Sequence, residues 1–339
     1  MTDPLSQRPI NQVVIKEEKP RPSLALSSLM KVIHTSCAVQ GACAILPFTA
    51  HRATRSEMQM CIETLVVEEP LEIQLRHGSG DHRATKSISV TMRTPGNDLE
   101  LAAGFLMTEG VVRDSNDIDN IVCATSTLHD PTSSSILGRT LAGRTQGNTV
   151  RVDLRPHVVI NFETLERNFY TTSSCGICGK TSLLALRSVC PPRRRNTFSI
   201  SADVLYTLPA GLREAQSLFT HTGGLHGAAL FDHHGKLTAL HEDVGRHNAV
   251  DKLLGAEFLA DRIPLQDSLL LLSGRASFEL LQKAVMGGIS MVVSIGAPSS
   301  LAVQVAQEFD VTLIGFLRDN HFNIYHGAQR IAGLTSLNM

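Results

Sequence analysis

The sequence predicts an α/β protein in which helices alternate with short, buried strands. Three observations carry that expectation. The apolar runs SLLLLS ending at Ser273, SMVVSI and VTLIGFL are brief and aliphatic, as strands covered on both faces are. Helical patterns near Phe278–Met286 and Leu301–Glu308 separate them, which is the alternation of a layered sheet. With 339 residues, 42% of them hydrophobic, the chain can bury a sizeable core over about two domains.

Taken in order, residues 1–57 mix proline, serine and charge without periodicity, so a flexible N-terminal extension is expected. Residues 58–170 read as a small α/β domain. Its strands are expected within TLVVEEPLEIQL and over Ser87–Thr94, where β-branched and apolar residues alternate or run together. Pro95-Gly96 forms a turn, and Asp98 is placed to cap a helix, LELAAGFLMTE, whose Leu99, Ala102, Phe105 and Leu106 share a face. Gly110 sits where a helix C-cap belongs. Residues from 113 to about 147 are polar, and Val150–Leu154 and Val158–Phe162 read as further short strands. Residues 171–197 form a mobile loop and linker with breaks at TTSSCGICGK and CPPRRRN, the arginines serving as a solvated loop.

Residues 198–339 are the most legible. A helix over Ala202–Phe219 with a break at Pro209 precedes a hairpin, Ala228–Phe231 and Lys236–Leu240, around HHG. A helix over Arg246–Leu254 and the strand–helix alternation above complete it. The order of hairpin, helices and strands resembles the cytidine deaminase-like fold. Ligands of open α/β sheets bind at the carboxyl ends of strands, which selects Ser273-Gly274-Arg275, Gly296-Ala297-Pro298 and Arg318–His321.

Net charge is −1, from 31 basic and 32 acidic residues, so nothing global points to nucleic acid or an anionic membrane. No apolar run reaches the roughly 18 residues of a spanning helix. Ser23–Phe48 is a poor match to a signal sequence, because a long stretch with Glu17 and Glu18 precedes it. Seven scattered cysteines do not form a disulfide framework, and a reducing, cytoplasmic setting is expected.

Cys175-Gly176-Ile177-Cys178-Gly179 brings two thiols onto one turn. A helix starting near Gly179 would favour the thiolate through its N-terminal partial charge, as would Lys180. Such a thiolate can take the outer sulfur of a donor persulfide, and the second thiol can release it or close a disulfide behind it. Spacing alone also admits a zinc ligand pair, a thioredoxin-like redox pair and an inert pair. A second constellation is THTGGLHG at Thr220–Gly227 with HEDVGRHN at Asp243's flanks, His241–Asn248. It brackets the hairpin and suggests a pocket rim of His226, Asp243, Arg246 and His247, against a plainer reading as turn and capping chemistry. SGRASFELL adds Ser273, Gly274 and Arg275 as possible phosphate contacts at a helix start. Zinc deaminases carry His/Cys-x-Glu and Pro-Cys-x-x-Cys at the corresponding helix starts. Neither EDVGRHNAV nor SGRASFELL has the cysteine pair, so deamination is disfavoured.

Together TPGNDLELAAGFLMTEG, SSCGICGK, FTHTGGLHGAALFD, HEDVGRHNAVDKLLG, SGRASFELLQKAVMGG and LIGFLRDNHFNIYHG resemble the formate dehydrogenase accessory family, FdhD, over roughly residues 60–335. The resemblance implies a sulfurtransferase that accepts sulfur from a cysteine desulfurase as a persulfide on Cys175, with Cys178 as partner thiol. It implies delivery to the bis-molybdopterin guanine dinucleotide (bis-MGD) cofactor of formate dehydrogenase, a bound cargo, with no catalytic metal of the carrier's own. The family's guanine-dinucleotide contact maps onto Phe316, Leu317, Arg318, Asp319, Asn320 and His321, a turn with no glycine where one is expected. His226, Asp243, Arg246 and Arg275 would anchor the cofactor. A homodimer of deaminase-like domains, each with a smaller α/β domain, is also implied. The alternative is a cofactor-binding chaperone that moves no sulfur.

Overall fold

The computed structural model describes residues 44–124, 148–160, 179–190, 195–318 and 320–334. Cys175, Cys178 and Asp319 lie outside them. Among the described residues no helix is long and apolar enough to cross a membrane.

The chain enters on a two-stranded antiparallel hairpin, β1 (Ile45–Ala53) and β2 (Met58–Val66). The segment expected to be a featureless extension therefore ends in a strand. β1 lacks clean alternation because much of the hairpin is exposed on both faces, so burial imposes no period on it. TLVVEEPLEIQL, expected as strand, is split at Val67-Glu68, after which β3 (Glu69–His77) begins a separate sheet. There β4 (Ala84–Arg93) and β6 (Thr149–Leu154) flank β3, and β5 (Ile118–Ala124) flanks β6. Leu71, Ile73 and Leu75 of β3 and Val150, Val152 and Leu154 of β6 are all buried. β5 falls in the stretch read as polar. Val158–Ile160 is not strand, and Val159 is exposed.

Helix α1 (Asp98–Thr108) packs on this sheet. Its N-cap is Asn97, in the left-handed region, and Gly110 ends it with a φ of 72°. Asp98 is not the cap: its carboxylate accepts two hydrogen bonds of 2.9 Å from the buried Arg93 guanidinium. The buried face runs through Leu101, Ala102, Leu106 and Met107, while Leu99 and Phe105 sit at its edge.

Helix α2 (Gly179–Val189) starts where the CxxC spacing placed a helix and buries Leu186. Strand β7 (Ile200–Ser201) leads into α3 (Ala202–Ala215), N-capped by the Ser201 hydroxyl. Pro209 does not break α3; the break comes at Gln216, before α4 (Ser217–Thr222).

The larger sheet has six strands in the order β13-β12-β11-β10-β8-β9. These are β8 (His226–Phe231), β9 (Leu237–Asp243), β10 (Leu269–Leu272), β11 (Met291–Ser294), β12 (Thr312–Gly315) and β13 (Asn323–His326). β10, β11 and β12 run parallel and the others antiparallel to their neighbours. Alternate residues bury against helices on both faces, which is why these strands read as unbroken apolar runs. Leu270, Leu272, Val292 and Leu313 meet α5 (Arg246–Leu259), α6 (Phe278–Met286) and α7 (Ser300–Glu308). Leu269, Leu271, Val293 and Ile314 meet Leu205, Leu208 and Leu212 of α3. A last short strand, β14 (Ile331–Ala332), pairs with β7.

α1 lies across α5, and one core joins residues of both segments expected as separate domains, Leu71 and Val150 with Val250 and Leu253. The result is a mixed α/β fold of several sheets and, among the described residues, seven helices.

Candidate functional site

The carboxyl ends of β10, β11 and β12 carry the three loops selected from sequence, knit edge to edge by backbone hydrogen bonds. Gly296 N donates to Gly274 O at 2.9 Å and Phe316 N to Gly296 O at 3.1 Å. A Cβ at Gly296 would come within 3.0 Å of Gly274 O, and one at Gly315 within 2.7 Å of Pro298, so glycine permits this stacking. β8 runs antiparallel to β10, which brings its first residue, His226, to the same end. Gly227 N donates to the Ser273 hydroxyl oxygen at 2.9 Å, and Ser273 N to Gly227 O at 3.0 Å.

Over these loops, α3 and α4 roof a cleft of about 910 Å³, within the size range of small-molecule sites. Arg213, Phe219, Gly223 and Gly224 face His226, Ser273 and Arg318 across it, and no carboxylate is among its described lining residues. Arg318 donates to Ile295 O at 2.7 Å, which fixes its guanidinium. Arg213 is exposed and has no side-chain partner among the described residues. The described lining of the cleft is therefore cationic in a chain of net charge −1. Phe316 takes a φ of 55°, so the turn without a glycine adopts the glycine-type backbone, with Phe316 partly exposed and Leu317 buried. Arg318, Asn320 and His321 are exposed beside it.

His226 also faces a second group. A Cβ on Gly274 would touch its ring at 3.4 Å. Burial lowers the His226 pKa, the Arg246 guanidinium lowers it further, and Asp243 opposes them. Beside Arg246, His247 is held down to about 4 by burial and by Lys283 and Arg246, with its Nε2 4.0 Å from Glu279 Oε2. Both histidines therefore stand as neutral hydrogen-bonding groups near pH 7, and Arg246 supplies the charge. Arg246 Nε and His247 Nε2 are buried without a hydrogen-bond partner. Neither α5 nor α6 has a side-chain N-cap; α5 turns the positive partial charge of its start toward this end of the sheet, whereas in the first turn of α6 the Glu279 carboxylate accepts from its own backbone N–H. Arg275 is exposed on the loop entering α6.

Asp243 departs from the sequence expectation. Instead of lining the rim it is fully buried, 2.7 Å from Lys252 Nζ, and accepts hydrogen bonds from Thr94 N, Gly245 N and Asn248 Nδ2. His241, two residues earlier and half-buried beside Lys252, has a pKa lowered to about 4 by burial and by that ammonium group, and is not among the cleft's lining residues.

Two contributors escaped the sequence. Arg213 lies four residues after Pro209 and three before Gln216, a helical spacing hidden by reading a break at the proline. Glu242 had no visible role, yet it supplies the N-cap that α4 lacks locally. Its carboxylate accepts from Leu218 N at 3.1 Å, Phe219 N at 2.9 Å and Gln216 Nε2 at 3.4 Å. Glu242→Ala is expected to cost about 1 kcal/mol, the usual worth of a cap. Hydrogen exchange should quicken at Phe219–Thr222 and leave α5 unchanged; uniform quickening would mean a general packing defect instead.

With this geometry in view, relatives are informative. The model of the FdhD/NarQ family matches residues 66–332. A "Sulfur carrier protein FdhD" of Streptomyces avermitilis is 49% identical over 278 residues, 80% of this chain and 89% of that protein. One of Mycobacterium tuberculosis is 46% identical over 292 residues, 84% of this chain and 98% of that protein. The crystal structure of a candidate formate dehydrogenase accessory protein from Desulfotalea psychrophila superposes with a TM-score of 0.62 at 22% identity, covering 85% of this chain and all of that one. The match over most of the chain, at this identity, places it in the FdhD/NarQ family.

Proposed function

We propose that the chain is a cytoplasmic sulfur carrier that takes sulfur from a cysteine desulfurase and transfers it to bis-MGD for formate dehydrogenase. The observation that carries the reading is the cleft at the strand ends, bounded by Arg213, His226 and Arg318 and with no carboxylate among its described lining residues. A nucleoside diphosphate limb of the cofactor suits it: guanidinium groups take the phosphates, and the uncapped start of α5, with Arg246 and Arg275, extends the cationic surface. Phe316–His321 borders the same cleft through Leu317 and Arg318. Relatives named sulfur carriers support the chemistry assigned to the CxxC pair.

In the carrier step, the Cys175 thiolate attacks the outer sulfur of the donor's persulfide and the donor leaves as its thiolate. Cys178 then stands as the second thiol, able to release the sulfur or close a disulfide. The start of α2 one residue after Cys178 favours the thiolate on that turn. The sheet order β9-β8-β10-β11-β12, with helices on both faces, supports a deaminase-like layer whose zinc motif is missing.

The test has two independent arms. Incubation with a cysteine desulfurase and cysteine should add one sulfur atom to the Cys175 peptide, removable by reductant and absent in Cys175→Ser. Guanosine diphosphate should raise the melting temperature. Arg213→Ala should weaken its binding about tenfold or more, the loss of one charge-assisted hydrogen bond. Nucleotide binding with no sulfur gained would favour the cofactor-binding chaperone; neither effect would sink both readings.

A further inference from the structure

A second cavity, of about 460 Å³, lies at the opposite end of the larger sheet from the cleft, beside the amino ends of β10 and β11. Asp267, two residues before β10, and Ser290, just before β11, are part of its lining. Its floor is apolar: Met107 and Val112 from the end of α1 and Met286 from the end of α6 are all buried. Val189 of α2 and Ile263 close the sides. The rim above that floor is charged. Arg113 and Arg195 are exposed and have no side-chain partner among the described residues, and Asp267 is the one carboxylate of the described lining. Two guanidinium groups against one carboxylate leave one positive charge unmatched over an apolar recess.

We propose that this cavity is a binding site for an amphipathic monoanion, an apolar or aromatic body that ends in one carboxylate. The volume is that of a small-molecule site. Methionine thioethers are polarisable and adaptable and suit a ring or chain laid against them. A carboxylate matches the donor fork of a guanidinium group, and a single negative charge balances the rim. The position of the site gives binding a consequence. Helix α2 has 11 residues, too few to hold a helix alone in water, and Leu186 is the only buried side chain among its described ones. An occupant packed on Val189 adds a contact that ties α2 to the ends of α1 and α6. Because α2 starts one residue after Cys178, occupancy orders the helix into which the CxxC turn leads. That consequence for sulfur transfer rests on the carrier role proposed above, whereas the binding itself does not.

Calorimetric titration of the full chain with 4-phenylbutyrate tests the assignment. The acid should bind one to one with a Kd of about 1 mM or tighter. The alcohol 4-phenylbutanol keeps the body and lacks the charge, and should bind about tenfold more weakly or worse. The double variant Arg113→Ala/Arg195→Ala, at exposed positions, should cost the acid a similar factor and leave the alcohol unaffected. Saturating guanosine diphosphate should not displace the acid, since the cleft lies at the other end of the sheet. Hydrogen exchange should slow over residues 183–189 when the acid is bound and stay unchanged over residues 219–222 at the cleft. No binding, equal binding of acid and alcohol, full affinity in the double variant, or displacement by guanosine diphosphate would each overturn the assignment. None of these readouts uses Cys175, so a chain that binds the acid and gains no sulfur would sink the carrier reading alone.

Discussion

Gly104→Ala is expected to abolish the folded state, and Gly255→Ala to do the same. The two glycines sit where α1 crosses α5, and the helix backbones there are in contact. A Cβ on Gly104 would lie 1.9 Å from Asp251 O, and one on Gly255 would lie 1.8 Å from Glu100 O. Both obstacles are backbone, so no rotamer change can relieve them. The helices must separate instead, and α5 buries Val250, Leu253, Leu254 and Phe258 in the core that residues of both sheets share. Overpacking in a core ordinarily costs about 1–3 kcal/mol, and forcing two backbones apart belongs in the tail above about 4 kcal/mol. That is comparable to the whole stability of many domains. Chemical denaturation should show no cooperative transition, or a midpoint far below wild type. Gly211→Ala is the matched control: its added Cβ would make an ordinary 3.7 Å contact with Phe231, inside α3. It should be neutral, or stabilising by roughly 0.5–1 kcal/mol from helix propensity. If Gly104→Ala melted like Gly211→Ala, the crossing described here would be wrong.

Neither glycine announces itself in sequence, and the reason is general. Local pattern reports the period of burial along one element, whereas a helix crossing is set by what two distant elements present to each other. The strands β10, β11 and β12 were legible because each is buried on both faces and so is apolar throughout. β1 and β5 were not, since an exposed hairpin and a polar sheet edge leave no such mark. The strand-end loops of the candidate site were legible for a topological reason: in an alternating sheet they must converge, and Ser273, Gly296 and Arg318 do. Arg213 and Glu242 act across the fold, one from α3 into the cleft and one from β9 onto α4, and no spacing rule connects them.

Asp243→Asn separates the two roles that one acidic residue in a glycine- and histidine-rich motif can have. As a ligand anchor it would lower nucleotide affinity and leave stability alone. The buried position predicts the opposite order of effects. Lys252 Nζ, 2% exposed, is 2.7 Å from the Asp243 carboxylate and donates to Thr94 O at 2.8 Å. Removing the negative charge leaves an ammonium group buried without its counter-charge, a change that typically costs about 3–5 kcal/mol. The amide also brings an NH₂ into a site where every neighbour donates: Thr94 N at 3.1 Å, Gly245 N at 2.8 Å and Asn248 Nδ2 at 3.1 Å. At least one of those donors must lose its acceptor. Those partners tie the turn after β4 to the start of α5, so the loss should also loosen Arg246 and His247 beside the cleft. Urea denaturation of Asp243→Asn should therefore show a lower midpoint, and the double variant Asp243→Asn/Lys252→Met should recover part of it, because the stranded charge is gone. An unchanged midpoint combined with weaker guanosine diphosphate binding would return Asp243 to the ligand. A recovered midpoint in the double variant would fix it as the carboxylate that joins the two halves of the fold behind the site.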